Sequence, residues 1–139
     1  TMAGDRLQTE DFIAVFTEDA ILETEGVPER DAFRHAGRPA IHDWINRWRE
    51  RPKADGKPVH QASFVRHHLS TSLIELVDEQ TAKARTYWTA YTDIGADHCG
   101  CYLDLFRKTG NRWLIAHRRI RLDWRSPDST MFTAIARTR

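Results

Sequence analysis

Apolar residues near the start of the chain recur at the spacing of a helix. Phe12, Val15 and Phe16 fall at i, i+3 and i+4, which places them on one helical face. Thr9 stands where a capping residue would accept a backbone N–H, and two acidic residues follow it in the first turn. The pattern predicts a short helix over residues 10–16 with one apolar face.

A second and longer helix is predicted over residues 39–50. Pro39 suits its first turn, because proline lacks the N–H that would be unpaired there. Between the two helices the sequence predicts a short strand around residues 20–22 and a long polar loop over 24–38. The apolar side of the second helix consists of Ile41, Trp44, Ile45 and Trp48.

From Phe64 onward the hydrophobic period changes to that of strands. The segments are rich in β-branched and aromatic residues, and short turn signals with Asp, Gly or Asn separate them. Short connections between long neighbouring strands indicate an antiparallel meander. Helices followed by a curved antiparallel sheet define an α+β fold class. The predicted strands cover residues 66–77, 81–92, 98–107 and 112–124.

Composition narrows the class of protein further. A length of 139 residues fits a single domain over 1–139, with a C-terminal tail over 126–139 that we expect to dock. The net charge of +1 does not favour a nucleic-acid partner. No apolar run reaches the roughly 18 residues of a membrane span, and no signal-peptide pattern is present. With two cysteines and no disulfide framework, we expect a cytoplasmic protein without a membrane partner.

Two adjacent histidines, His67 and His68, open the first long predicted strand. Neighbouring strand residues point to opposite faces, so only one of them can enter the concave side of the sheet. Strict alternation groups His68 with Ser70 and Ser72 on one face. An imidazole at this position is either an ordinary polar residue at a strand start or a general base, because its free pKa lies near neutral pH.

Metal and phosphate motifs are missing from the sequence. None of the seven histidines stands at HxH or HxxxH spacing, and HExxH is absent. Neither a Gly-rich phosphate loop nor a G-x-S-x-G turn is present. The sequence therefore predicts no metal site and no cofactor.

Five short motifs follow one another along the chain. They are Phe16-Thr-Glu-Asp-Ala20, Gly37-Arg-Pro-Ala-Ile41, Arg66-His-His-Leu-Ser-Thr-Ser72, Tyr102-Leu-Asp104 and Trp113-Leu-Ile-Ala-His-Arg118. In order and spacing, over about residues 3–125, these motifs resemble the SnoaL-like branch of the nuclear-transport-factor-like cone fold. The resemblance implies a cone-shaped, curved antiparallel sheet wrapped by N-terminal helices, with an internal pocket.

The resemblance also implies a set of site residues. In dehydratases and dehydrochlorinases of this family, a strand histidine pairs with an aspartate, and these match His68 and Asp5. His68 is then the expected catalytic base, Asp5 its orienting partner and Arg118 a group that stabilises a leaving group or oxyanion. Asp104 is expected either to pair with Arg118 or to act as a second acid/base group. The expected substrate-binding residues are Trp88, Tyr102, Asp104, Trp44, Trp48, Ile120 and Ser72.

The function implied is a cofactor-independent lyase or isomerase of the dehydratase or elimination type. Its substrate would be a small hydrophobic molecule, aromatic or polycyclic. Two alternatives stay open: a non-catalytic binding or assembly subunit resembling the β subunits of ring-hydroxylating dioxygenases, and a polyketide-type cyclase using an acid/base aspartate. In each case we expect a homo-oligomer, a trimer in preference to a dimer.

Overall fold

A computed structural model describes residues 2–6, 8–27, 29, 32–49 and 62–129, without the side chains of residues 48 and 49. It contains three helices and six strands within these ranges. In chain order they are α1 (Met2–Asp5), α2 (Thr9–Ile13), β1 (Phe16–Glu25), β2 (Arg34–Ala36), α3 (Arg38–Arg49), β3 (Arg66–Leu76), β4 (Thr81–Thr92), β5 (Gly95–Thr109) and β6 (Arg112–Arg125).

All six strands belong to one curved, unclosed sheet in the order β2-β1-β6-β5-β4-β3. Strands β3 to β6 pair antiparallel with their chain neighbours, which confirms the predicted meander and the α+β fold class. Strand β1 extends the sheet by pairing parallel with β6. Strand β2 pairs antiparallel with the other edge of β1. The N-terminal and C-terminal parts of the described chain thus meet inside a single sheet.

The first predicted helix is shorter in the structure than the sequence indicates. Helix α2 ends at Ile13, and Phe16 is instead the first residue of β1, where its ring is fully buried. The expected Thr9 cap is also wrong. Thr9 is the first residue of the helix, and its hydroxyl donates to Asn46 Oδ1 of α3 at 2.7 Å. The Thr9 hydroxyl therefore makes a tertiary hydrogen bond and does not cap its own helix.

The region between the predicted helices holds more strand than expected. Strand β1 is ten residues long, and the three-residue strand β2 lies inside the predicted loop over 24–38. A segment as short and polar as β2 has no period to detect. It forms because Ala36 and Arg34 pair with the already extended β1.

The main core lies between α3 and the β1–β6 part of the sheet. Phe16, Ala20, Leu22, Ile41 and Ile115 are buried together there, and the helical spacing of the α3 residues explains this packing. A second cluster lies further along the sheet, around Trp88, Ala90 and Tyr102. Ile120 packs against both clusters and so connects them.

Some predictions fall outside the described residues. These are the side chain of Trp48 and the docking of the tail beyond residue 129. Within the residues that are described, no helix is long and apolar enough to cross a membrane.

Candidate active site

The inner face of the sheet is marked by the even-numbered residues of β4. Each of them is buried except Thr86, which is half-buried, whereas the odd-numbered residues are half-buried or exposed. The strand register continues this face onto β5 and β6. The polar and aromatic side chains there are His98, Tyr102, Asp104 and Arg118.

Asp5 and His67 form a close carboxylate–imidazole pair at one end of this face. His67 Nδ1 lies 2.5 Å from Asp5 Oδ1, and the backbone N–H of His67 donates to Asp5 Oδ2 at 3.0 Å. Because a carboxylate only accepts, these contacts assign the proton to Nδ1 and leave Nε2 as the basic nitrogen. The Asp5 side chain is 5% exposed and that of His67 25%, so the orienting group is buried while the imidazole remains accessible.

The expected pairing of Asp5 with His68 is corrected by this geometry. His68 is exposed and lies opposite Thr89, and its ring contacts Tyr91 at 4.8 Å on the outer side. His67 lies opposite the fully buried Ala90 and therefore belongs to the inner face.

A β-bulge breaks the strict alternation that groups His68 with Ser72 on one face. Leu69 pairs with Trp88 but Ser72 pairs with Thr86, so three steps on β3 match two steps on β4. One extra residue reverses the alternation. His67 and Ser72 therefore share the inner face although they are five residues apart, and His68 is placed on the outer face.

Trp88 and Tyr102 form the aromatic floor next to the Asp5–His67 pair. Their rings stack at 5.5 Å with an interplanar angle of 22°, and His67 contacts Trp88 at 5.6 Å. Burial raises the pKa of Tyr102 to about 12, so its hydroxyl stays protonated and can donate a hydrogen bond at neutral pH. Trp88 Nε1 is buried and has no hydrogen-bond partner among the described residues. The cluster thus leaves a buried donor unpaired, which costs stability.

Arg118 and Asp104 form a two-pronged ion pair at the far end of the aromatic floor, as one of the two sequence alternatives predicts. Arg118 Nε donates to Asp104 Oδ1 at 2.8 Å and Nη2 to Oδ2 at 2.6 Å. The guanidinium also lies 4.2 Å over the ring of Tyr102. Burial alone would lower the pKa of Arg118, but the hydrogen bond and charge of Asp104 raise it on balance. The pair is therefore a neutralised, rigid unit.

Sequence reasoning missed a second buried pair, Asp97 and His98. His98 Nδ1 lies 2.6 Å from Asp97 Oδ1. The His98 ring is nearly perpendicular to the rings of Trp88 and His67, with centroid distances of 5.5 Å and 6.1 Å. The sequence signal was only an Asp-His dipeptide beside Cys99. The predicted strand over 98–107 begins at His98 and leaves Asp97 just outside it, so the pattern did not indicate that both are buried. An irregular register around Ala90 and Tyr91 allows the burial of both.

The remaining expected site residues lie in different parts of the structure. Trp44 packs against Phe12, Phe33 and His35 in the core under α3, away from the Trp88 cluster. Ile120 packs beside Trp88 and Tyr102. Ser72 is exposed and hydrogen-bonds Thr86. The structure therefore brings together Asp5, Trp88, Tyr102, Asp104, Arg118 and Ile120 with His67 in place of His68.

A groove of about 630 Å³ lies on the opposite, outer face, and of the site residues named above Asp104 lines it. Leucines line its floor, and charged residues of both signs, among them Glu75, Lys83 and Arg119, surround it. Among the residues described, no group of three His, Cys, Asp or Glu side chains is placed to hold a metal ion.

Comparison with known proteins defines the class. The SnoaL-like domain family matches residues 1–119, and the chain therefore belongs to this family. A search of the curated proteins found no match.

Solved structures share the fold at low sequence identity. A candidate scytalone dehydratase from Novosphingobium aromaticivorans DSM 12444 is similar at 22% identity and a TM-score of 0.67, over 90% of this chain and 77% of that one. The hexachlorocyclohexane dehydrochlorinase LinA-type3 from Novosphingobium barchaimii LL02 is similar at 14% identity and a TM-score of 0.67, over 91% and 80%. The β subunit of a candidate aromatic-ring-hydroxylating dioxygenase from N. aromaticivorans DSM 12444 is similar at 17% identity and a TM-score of 0.69, over 90% and 82%.

Proposed function

We propose that the protein is a lyase or isomerase in which His67 removes a proton from carbon and Asp5 orients it. The observation that carries this proposal is the contact of a buried carboxylate with an accessible imidazole beside an aromatic floor. Asp5 holds the Nδ1–H tautomer, so that Nε2 can accept the substrate proton, and its charge stabilises the imidazolium that forms.

An elimination balances with these groups alone. The electron pair of the broken C–H bond forms the C=C bond as the leaving group departs from the neighbouring carbon. If the leaving group is hydroxyl, protonated His67 can return the proton and water leaves. If it is chloride, the proton passes from His67 to solvent. Tyr102 offers a hydrogen bond to the departing atom or to a developing oxyanion.

Arg118 has a more indirect role in this proposal than the resemblance implies. Its charge is already neutralised by Asp104, and its position over the Tyr102 ring supports that ring. The substrate we propose is a small, flat, hydrophobic ring compound, because the partly exposed imidazole of His67 lies next to the stacked Trp88 and Tyr102 rings.

The test separates the two neighbouring histidines. Wild type, His67→Ala and His68→Ala are purified from the native host, retained compounds are identified by native mass spectrometry, and their turnover is followed by NMR in D2O. Because general base catalysis contributes roughly 10²- to 10⁴-fold, His67→Ala should lose at least about 100-fold in turnover and retain the substrate. His68→Ala is the matched control and should stay near wild type. Turnover by His67→Ala at the wild-type rate contradicts the proposal.

A non-catalytic assembly subunit is the second candidate, supported by the fold shared with the dioxygenase β subunit. It predicts a larger polypeptide that co-purifies with the wild type, and no effect of either histidine substitution on that complex. A polyketide-type cyclase has less support, because Asp104 is held by Arg118.

We also propose a homo-oligomer as the working form, a trimer in preference to a dimer. Support comes from strand β3, at one end of the sheet, where nearly every residue is exposed. Exposed edge strands are normally covered in native proteins.

Both cysteines are free thiols, and we propose a reducing, cytoplasmic location on that basis.

A further inference from the structure

Asp97 is a fully buried carboxylate to which the proposed chemistry gives no role. Oδ1 accepts hydrogen bonds from His98 Nδ1 and from the Ser129 hydroxyl, each at 2.6 Å. Oδ2 accepts a third from the Thr92 hydroxyl at 3.0 Å. A carboxylate with 0% exposure is normally retained only where such partners compensate for its burial.

The charge states of the two groups follow from their surroundings. Burial alone would raise the pKa of Asp97, but the bonds from Ser129, His98 and Thr92 together lower it. Burial lowers the pKa of His98 in spite of the adjacent carboxylate, and the charge of His67 acts in the same direction. The carboxylate is thus ionised and the imidazole neutral at pH 7. A neutral imidazole facing a carboxylate must carry its proton on Nδ1.

Asp97 also holds the turn that follows β6. The backbone N–H of Ser126 donates to the Asp97 carbonyl at 2.7 Å, and that of Ser129 donates to the Ser126 carbonyl at 3.1 Å. With the Ser129 hydroxyl on Oδ1, both ends of the turn are connected to one residue. Asp97 therefore holds both the start of the C-terminal segment and His98, whose imidazole lies beside His67.

We propose that Asp97 is a positioning residue of the site: it holds His98 in the Nδ1–H tautomer beside His67, while Thr92 and Ser129 hold the carboxylate. This inference rests on the proposed function and deepens it. A neutral His98 of fixed orientation leaves His67 as the one charged imidazole of the two when His67 takes up a proton. If the His98 ring rotated, an N–H group would lie at the position that the unprotonated Nε2 occupies in the wild type.

The test reads the tautomer directly and without substrate. Two-bond 15N–1H NMR spectra of the imidazoles are recorded for wild type, Asp97→Asn and Asp123→Asn. Wild type should show His98 as the Nδ1–H tautomer, and Asp97→Asn should shift it toward Nε2–H, because the new amide can donate to Nδ1. Asp123→Asn makes the same chemical change at an exposed site on β6 and should leave the His98 signals unchanged.

Two outcomes overturn the proposal: wild-type His98 observed as the Nε2–H tautomer, or an Asp97→Asn protein that folds and keeps the wild-type tautomer. If Asp97→Asn does not fold, Thr92→Val and Ser129→Ala remove the supporting bonds singly. Each should broaden the His98 ring signals without reversing the tautomer, and unchanged signals in both contradict the proposal.

Turnover then separates this inference from the proposed function. Asp97→Asn should lower kcat by at least about tenfold with little change in KM, because the altered His98 tautomer changes the group that lies beside the proton-accepting His67. If His67→Ala is fully active while the tautomer shifts as expected, the proposed function fails and the tautomer assignment stands. If His67→Ala is inactive while Asp97→Asn keeps wild-type kcat, the positioning role alone fails.

Discussion

At the scale of single residues, the site depends on which of two adjacent histidines faces inward. His67 and His68 are chemically identical and one position apart, yet only His67 reaches Asp5, and His68 contacts Tyr91 on the outer face. Contacts between single residues also determine the charge environment of Arg118. It is a fixed member of an ion pair and not an unpaired cation, because Asp104 takes two of its donors.

The Asp104–Arg118 pair gives a stability prediction. Asp104→Asn removes the negative charge and leaves a mostly buried guanidinium without compensation, so the free energy of unfolding should fall by about 3 kcal/mol. Urea unfolding followed by tryptophan fluorescence measures this change. Asp19→Asn is the matched control, since Asp19 pairs with Arg107 at the exposed surface. Equal effects of the two substitutions would contradict the assigned burial.

At the scale of elements, a small aromatic cluster joins β2 to α3. His35 of β2 stacks on Phe33 at 5.2 Å and lies 5.9 Å from Trp44 of α3. Its Nε2 is buried and has no hydrogen-bond partner among the described residues. Burial, and secondly the charge of Arg47, lower the pKa of His35 below its ordinary value of 6.5. A three-residue strand is thus held by ring packing as well as by strand pairing.

His35→Phe should stabilise the protein, increasingly so at acid pH. It keeps a ring in the cluster and removes an unpaired buried nitrogen, a gain of about 1 kcal/mol at pH 7. Since the wild-type pKa is lower when folded, the unfolded chain binds more protons just below pH 6.5, and stability falls there. The variant should show a smaller decrease in stability at acid pH, because it lacks the His35 imidazole. The remaining decrease should come from His98, whose pKa is lowered as well.

Thermal unfolding of both proteins between pH 5 and 8 measures the effect. A difference between variant and wild type that stays constant over this range would contradict the assigned titration of His35.

At the scale of the whole molecule, the sheet is open and ends at strand β3 among the described residues. Strand β3 is the terminal strand, and no described strand pairs with its outer edge. Ile74 and Leu76 are 65% and 73% exposed there. Apolar side chains on an unpaired edge favour association with another chain, here proposed as further copies of this one.

Replacing both residues, Ile74→Lys and Leu76→Lys, should convert the proposed oligomer to monomers without loss of folding. Charged side chains on an edge strand oppose pairing, and residues this exposed contribute little to the core of one chain. Light scattering after size-exclusion chromatography measures the mass. Ile94→Lys, at an exposed position in the β4–β5 turn, is the control and should keep the wild-type mass. Unchanged mass in the double variant would show that this edge is not the interface.

The fold was largely predictable because long strands carry their own signal. Strand β4 was predicted with its exact bounds, since its buried and exposed residues alternate over twelve positions. Short elements were not predictable from the sequence. Helix α1, with four residues, and strand β2 have too few residues for a period, and the prediction extended α2 over Phe16. Gly100 shows the same limit within β5. A Cβ there would lie 1.9 Å from the Arg121 carbonyl oxygen and 2.8 Å from the Trp88 ring, a requirement that no local pattern reveals.

The sequence by itself determined the meander from β3 to β6, the family motifs and the residue types of the site, because hydrophobic period and turn chemistry are local. Only the tertiary structure decided that β1 joins β6 in parallel, that Ser129 meets Asp97 across 32 residues, and that His67 faces inward. The last of these depends on a single extra residue between Leu69 and Ser72. A bulge forms where two strands must fit one another, so the face of each side chain on β3 is a property of the paired sheet.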